Sequence, residues 1–190
     1  MVDCLQVEFW PRTTGALAVA LRNLAQVTAI YTILASPSDP NFYDDNEFKA
    51  ALKKLLIEQR PVLVLDLHAS HPSHPYDVDF GTMQARSLLG RPDLLDRLAA
   101  SLREQGLQNV SQDFFSAAVN ATVTKFVVAA GVPAVQCEIN STWLLPAAEN
   151  GQPPNEWTNS LQYHRFAELL QGLMLFIRQV DARDGPAAKM

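Results

Sequence analysis

Apolar positions along the chain follow two rhythms, steps of three and four residues or nearly unbroken runs. Between Thr13 and Val27, Leu17, Leu21, Leu24 and Val27 fall at helical spacing behind the boundary set by Pro11. AIYTILA (29–35) is short, β-branched and closed by SPSDPN, which reads as a strand followed by a loop. A second helix is predicted from about Asp44, with Asp44 and Glu47 spaced as a capping pair and Phe48, Leu52, Leu55 and Leu56 on one face. PVLVLDLHAS (61–70) is an uninterrupted apolar run of the kind that suits a strand covered on both faces. YDVDFGT (76–82) reads as a strand or a bent loop.

Leu94, Leu95, Leu98 and Leu102 mark the next helix, with Pro92 in its first turn and Gly106 beyond its end. NVSQD reads as a short strand, 117–130 as a helix stopped by Gly131, and PAVQCEIN (133–140) as a buried strand. A long loop containing prolines (142–157) then leads into a helix from about Thr158 to Val180, whose core side is Phe166, Leu170, Leu173, Ile177 and Val180. Helix and strand alternate throughout, so the expected class is α/β: one domain spanning 1–190, with a mainly parallel sheet between two helical layers. Ligands of such sheets bind beyond the carboxyl ends of the strands, which directs attention to 66–70 and 138–141.

Composition narrows the function classes. The 190 residues are 48% hydrophobic and 18% charged, a globular balance with enough chain for one sizeable core. A net charge of -5 and a pI near 5.3 argue against nucleic acid, whose phosphates require clustered Lys and Arg. No basic amphipathic face suits a membrane surface, and no run of about 18 apolar residues spans a bilayer. Two cysteines, Cys4 and Cys137, are too few for a disulfide framework, and MVDCLQVEFW has no basic leader region. The expected location is the cytoplasm.

Candidate chemistry gathers at the two strand ends. Asp66 and His68, at i and i+2 of one strand, share a face. An imidazole there suits a metal, with the carboxylate orienting it; equally, Asp66 caps a turn and His68 is a satisfied polar residue. His71 and His74 extend the pattern to H-x-x-H-x-x-H, but Pro72 and Pro75 make that segment an irregular loop. Glu138 lies toward the carboxyl end of a strand otherwise made of Pro, Ala, Val, Gln, Cys and Ile, where burial raises a carboxyl pKa toward the range useful to a general base; a solvent-facing or Arg-paired carboxylate is the other reading. Turn and capping chemistry accounts for Asn41, Asp44 and Asp45, and Asp77 and Asp79 fit half-buried strand alternation. Cys137 has the look of a small core residue. The sequence contains neither a glycine-rich phosphate loop nor a G-x-S-x-G elbow.

SDPN (38–41), a helix opening with EFK, VLDLHAS (64–70), YDVDFGT (76–82) and AVQCEIN (134–140), taken in order, resemble segments of N-formylglutamate amidohydrolases, a family related in fold to zinc carboxypeptidases and aspartoacylases. The resemblance implies a mixed, mostly parallel sheet flanked by helices and a catalytic zinc, with His68 as a metal ligand and Glu138 as the general base on a zinc-bound water. It also implies Asn41 and Asn140 as substrate-binding residues and a small N-acyl (N-formyl) amino acid as substrate. The sequence departs from the family in three places. No His precedes His68, so Glu8 could at most supply the acidic ligand of the first zinc segment; Phe42 follows Asn41, and Ser141 follows Asn140, where the family carries Arg. One imidazole cannot hold a catalytic zinc, which takes three protein ligands, so weak zinc binding is expected. Two readings follow: an amidohydrolase, or a degenerate non-catalytic relative serving as a binding or structural protein.

Overall fold

A computed structural model describes residues 2–6, 14–32, 38–145 and 156–184, with side chains for 14–32, 38–145 and 160–182. Six strands form one sheet in the order β2-β1-β3-β6-β4-β5, comprising β1 (Val2–Gln6), β2 (Ala29–Ile30), β3 (Leu63–Ser70), β4 (Val78–Gly81), β5 (Val110–Gln112) and β6 (Ala134–Asn140). Every neighbouring pair is parallel except β4 and β6, so the sheet is mixed and mostly parallel, as expected. β4 lies on the far side of β6 from β3 and runs antiparallel to β6. It joins the sheet as a four-residue strand that is buried throughout, resolving the strand-or-loop reading of YDVDFGT.

The helices are α1 (Thr14–Ala25), α2 (Glu47–Gln59), α3 (Pro92–Glu104), α4 (Val123–Ala129) and α5 (Glu156–Asp184). On one side of the sheet, Leu65 and Leu67 of β3, Cys137 and Ile139 of β6 and Phe80 of β4 join Leu17 and Leu21 of α1, Leu94 and Leu98 of α3, and Leu173 and Phe176 of α5. On the other, Val64 and Ala134 pack against Phe48, Leu52 and Leu56 of α2 and Val123 and Val127 of α4. Burial on both faces is why β3 reads as an unbroken apolar run: alternation vanishes when neither side meets water. Removing this much apolar surface from water is the main term holding the layers together.

Several local expectations are corrected. Asn46, not Asp44, caps α2: its side chain accepts from the Lys49 amide, while Asp44 binds the Lys49 ammonium at 2.7 Å. That ammonium is almost wholly buried and also donates to the carbonyls of Tyr43 and Ala121, which ties the loop before α2 to the loop before α4. The helix expected over 117–130 begins only at Val123, because Thr122 caps it and Ala117 has φ of 57°, outside helical geometry. Leu24 lies outside the α1 core face and is exposed, whereas Ala18 is buried. Only Ala29–Ile30 of AIYTILA is strand; 33–35 lie outside the described residues. The last helix is longer than expected, and of its predicted core positions Phe166 and Leu170 are half-buried. In the 142–157 loop, Ser141–Trp143 form a turn of 3-10 helix and 146–155 lie outside the described residues. β1 was not anticipated. No described helix is long and apolar enough to cross a membrane.

Candidate active site

β3 and β6 run side by side and in parallel, with Asp66 opposite Gln136, His68 opposite Glu138 and Ser70 opposite Asn140. Side chains on a strand alternate, so these six residues share one face, on the α2/α4 side that Val64 and Ala134 begin. Past the apolar first turns of the two strands, that face becomes polar toward the carboxyl ends. On the far side of β6, Asp79 of β4 pairs with Glu138. Three adjacent strands therefore present His68, Glu138 and Asp79 in a row.

Each member of the row is held by specific bonds. Asp66 is fully buried; its Oδ1 lies 2.9 Å from His68 Nε2, and its Oδ2 accepts from Thr124 Oγ1 of α4 at 3.2 Å. A buried carboxylate needs such partners, and here they set the imidazole in place. Glu138 Oε1 accepts from Gln136 Nε2 at 2.7 Å. Burial pushes the Glu138 carboxyl above the ordinary carboxylate range; His68 and the Gln136 hydrogen bond pull it back, while Asp66 and Asp79 add to the rise. Asp79 was read from sequence as strand patterning, but it is completely buried. It accepts from Ser111 Oγ (2.7 Å), the Phe114 amide (3.2 Å) and the Phe115 amide (2.9 Å), and so seats the 113–117 loop beside Glu138.

Asn140 and Asn41 both organise loops. Asn140 Nδ2 donates to the carbonyls of Pro72 (3.3 Å) and His74 (3.2 Å), and its Oδ1 accepts from the amide and hydroxyl of Thr142. Asn41 Oδ1 accepts from the Val123 amide at the start of α4. His71 and His74 do not converge on His68: His71 Nδ1 contacts Ser73 Oγ at 2.7 Å, and His74 stacks on Tyr76 with ring centres 5.3 Å apart. Cys137 lies on the opposite, apolar face.

Sequence reasoning passed over Thr124, Gln136 and Asp79, and also Ser70 and Tyr76 at the strand ends. The one available signal was the polar i, i+2, i+4 series Asp66, His68, Ser70 and its counterpart Gln136, Glu138, Asn140, two matching stripes on otherwise apolar strands.

Among the described residues, no group of three or more His, Cys, Asp or Glu side chains is placed to hold a metal ion. His68 offers one imidazole, already turned to Asp66, and a catalytic zinc takes three protein ligands. The described side chains do not by themselves fit a zinc site. Glu8, the acid considered for the first zinc segment, lies outside the described residues.

No protein-family model matches the sequence, and no curated protein sequence does. Solved structures do. A bacteriophage poly-gamma-glutamate hydrolase is 11% identical, with a TM-score of 0.58 over 96% of this chain and 83% of its own. A metallo-carboxypeptidase from Pseudomonas aeruginosa is 11% identical, with a TM-score of 0.57 over 95% of this chain and 57% of its own. An N-formylglutamate amidohydrolase from Ralstonia eutropha JMP134 is 19% identical, with a TM-score of 0.45 over 70% of this chain and 50% of its own. The chain thus spans between half and five-sixths of these proteins, and with the first two it shares a fold.

Proposed function

We propose that the chain is an amide hydrolase acting on small N-acyl amino acids, with Glu138 as general base. One observation carries the reading: a carboxylate with a raised pKa stands at the carboxyl end of a central parallel strand, in register with an imidazole that a buried aspartate orients. Strand ends of this kind are where open α/β sheets bind ligands, and a shifted carboxyl there is of the sort that chemistry uses. Glu138 would take a proton from water and return it to the leaving amine, a role suited to a carboxyl shifted toward neutrality. His68, oriented by Asp66, which Thr124 bonds in turn, would present its imidazole to the same space. His68 supplies one zinc ligand where three are needed, so no step is assigned to the metal. Asn41 and Asn140 are proposed to shape the substrate space by holding the loops around it. A cytoplasmic setting fits the composition.

The binding-protein reading is favoured by one feature, the absence of a complete metal-ligand group among the described residues. A panel of N-formyl and N-acetyl amino acids, assayed with added zinc and with chelator, separates the two. Turnover that Glu138→Gln abolishes supports the hydrolase. Saturable binding of these compounds without turnover in either condition supports the binding protein.

A further inference from the structure

At the opposite end of the sheet from Glu138, the last turns of α2 and the turn joining α4 to β6 border a cleft of about 500 Å³. β3 and β6 start beside it and carry His68 and Glu138 away from it at about 3.3 Å per residue, so the cleft is separate from their row. Its volume lies in the range of small-molecule sites, about 300–1,000 Å³. The floor is apolar: Leu56 and Val132 belong to the core between α2, α4 and the sheet. Ile57, on the same cleft, is 65% exposed. Gly131 leaves one side open, since a Cβ built there meets nothing within 4 Å.

Two cations frame this apolar surface. Lys53, Leu56, Ile57 and Arg60 fall at i, i+3, i+4 and i+7, a single helical stripe, so the ammonium and the guanidinium start about 10 Å apart on either side of the isoleucine. No carboxylate lines the cleft, and among the described residues neither cation makes an ion pair or a side-chain hydrogen bond. Nor do they serve as helix caps. The Arg60 amide bonds the Leu56 carbonyl, and the Gly131 and Val132 amides bond those of Val128 and Val127, so backbone closes both helix ends. In a chain of net charge -5, two unpaired cations beside an open apolar wall match an anionic group on an aliphatic body. One exposed isoleucine is far less apolar surface than the roughly 1,000 Å² a stable protein interface buries, so the occupant is a small molecule.

We propose that this cleft is a binding site for a medium-chain carboxylate, distinct from the Glu138 row. The chain lies on Leu56, Ile57 and Val132, and the carboxylate is held between Lys53 and Arg60.

The full chain, labelled for amide NMR, is titrated with octanoate, with octanol (the same chain without charge) and with butyrate (the same charge on a shorter chain). Octanoate is expected to shift the amides of Ile57, Arg60, Gly131 and Val132 saturably. Octanol should bind about fivefold more weakly and butyrate about tenfold. Lys53→Gln/Arg60→Gln changes two exposed side chains and so leaves the fold intact; it should weaken octanoate about fivefold and leave octanol unchanged. The proposal is overturned by octanol binding as tightly as octanoate, by a variant that binds octanoate as the parent does, or by shifts confined to the His68–Glu138 end. The same amides shifting with protein concentration alone would assign this face to a second copy of the chain and overturn it as well.

Discussion

His68 and Glu138 occupy paired positions on adjacent parallel strands, so the imidazole and the carboxylate leave the sheet on the same face and at the same height. Parallel pairing produces this without any loop having to bring the two together, since 70 residues of chain separate them and the register alone aligns them. The imidazole in turn lowers the Glu138 pKa that burial raises, so the pair is electrostatically linked as well as adjacent.

If Glu138 is the general base, Glu138→Gln keeps the shape of the side chain but removes the basic oxygen. The loss in kcat is expected to be about 10²- to 10⁴-fold, with KM changed far less. In unsubstituted protein the acidic limb of kcat/KM should lie above the ordinary carboxylate value of 4.5, because burial raises the group. A limb at or below that value would rule Glu138 out as the base.

The same shift has a consequence for stability. A carboxyl whose folded pKa is raised binds its proton more tightly when folded, so its contribution is present at low pH and is lost as pH rises through the folded pKa. Glu138→Gln, which cannot ionise, should therefore raise the melting temperature at pH 8 relative to the parent, and the gain should shrink as pH is lowered past that pKa. Thermal scans across pH 4 to 8 test this, and a constant offset would contradict it.

Asp66 is buried between His68 and Thr124, so Asp66→Ala leaves both partners without their acceptor. A loss of about 1–3 kcal/mol in urea unfolding is expected, with Thr124→Val costing about 0.5–1.5 kcal/mol. The double variant should cost less than the sum, because the two share one bond.

Gly81 lies beneath the loop that carries Phe114 and Phe115. A Cβ there would run into the Phe115 carbonyl oxygen, with Gln136 Cβ at 3.1 Å and Ala117 Cβ at 3.2 Å. Backbone cannot swing aside as a side-chain tip does, so Gly81→Ala should destabilise by about 1–3 kcal/mol. Amide exchange should quicken at Phe114 and Phe115 more than in β3.

Asp93 gives a contrasting case on the surface. Hydrogen bonds from Arg91 and Arg97 hold its carboxyl down at about 2, against an ordinary 3.8. A lowered pKa contributes stability above the ordinary value, lost as pH falls through about 2. The carboxylate is half exposed and screened, so Asp93→Asn should cost less than about 1 kcal/mol at pH 7. Urea titrations at pH 7 and in 1 M salt measure it, and the salt should remove most of the difference.

Much of the architecture was legible because burial writes itself into local pattern. The two-sided apolar run of β3, the Leu94–Leu98–Leu102 stripe of α3 and the α/β alternation all follow from which residues must avoid water. Boundaries were less legible where tertiary bonds set them. Asn46 outcompetes Asp44 as the α2 cap because the Asp44 carboxylate is engaged by a buried lysine from the next turn. Leu24 fits the α1 period yet is exposed, since periodicity does not say where the neighbouring layer ends.

By itself the sequence determined that Asp66 and His68 share a strand face, that Glu138 ends a buried strand, and that such strand ends are where chemistry gathers. These are consequences of a two-residue repeat and of the cost of burying charge. Only the tertiary structure decided that His68 faces Glu138 and that Asp79 completes the row. Register between strands far apart in sequence is chosen by the packing of whole layers, and an aspartate that alternates with Val78 and Phe80 looks the same in sequence whether it meets water or holds a loop.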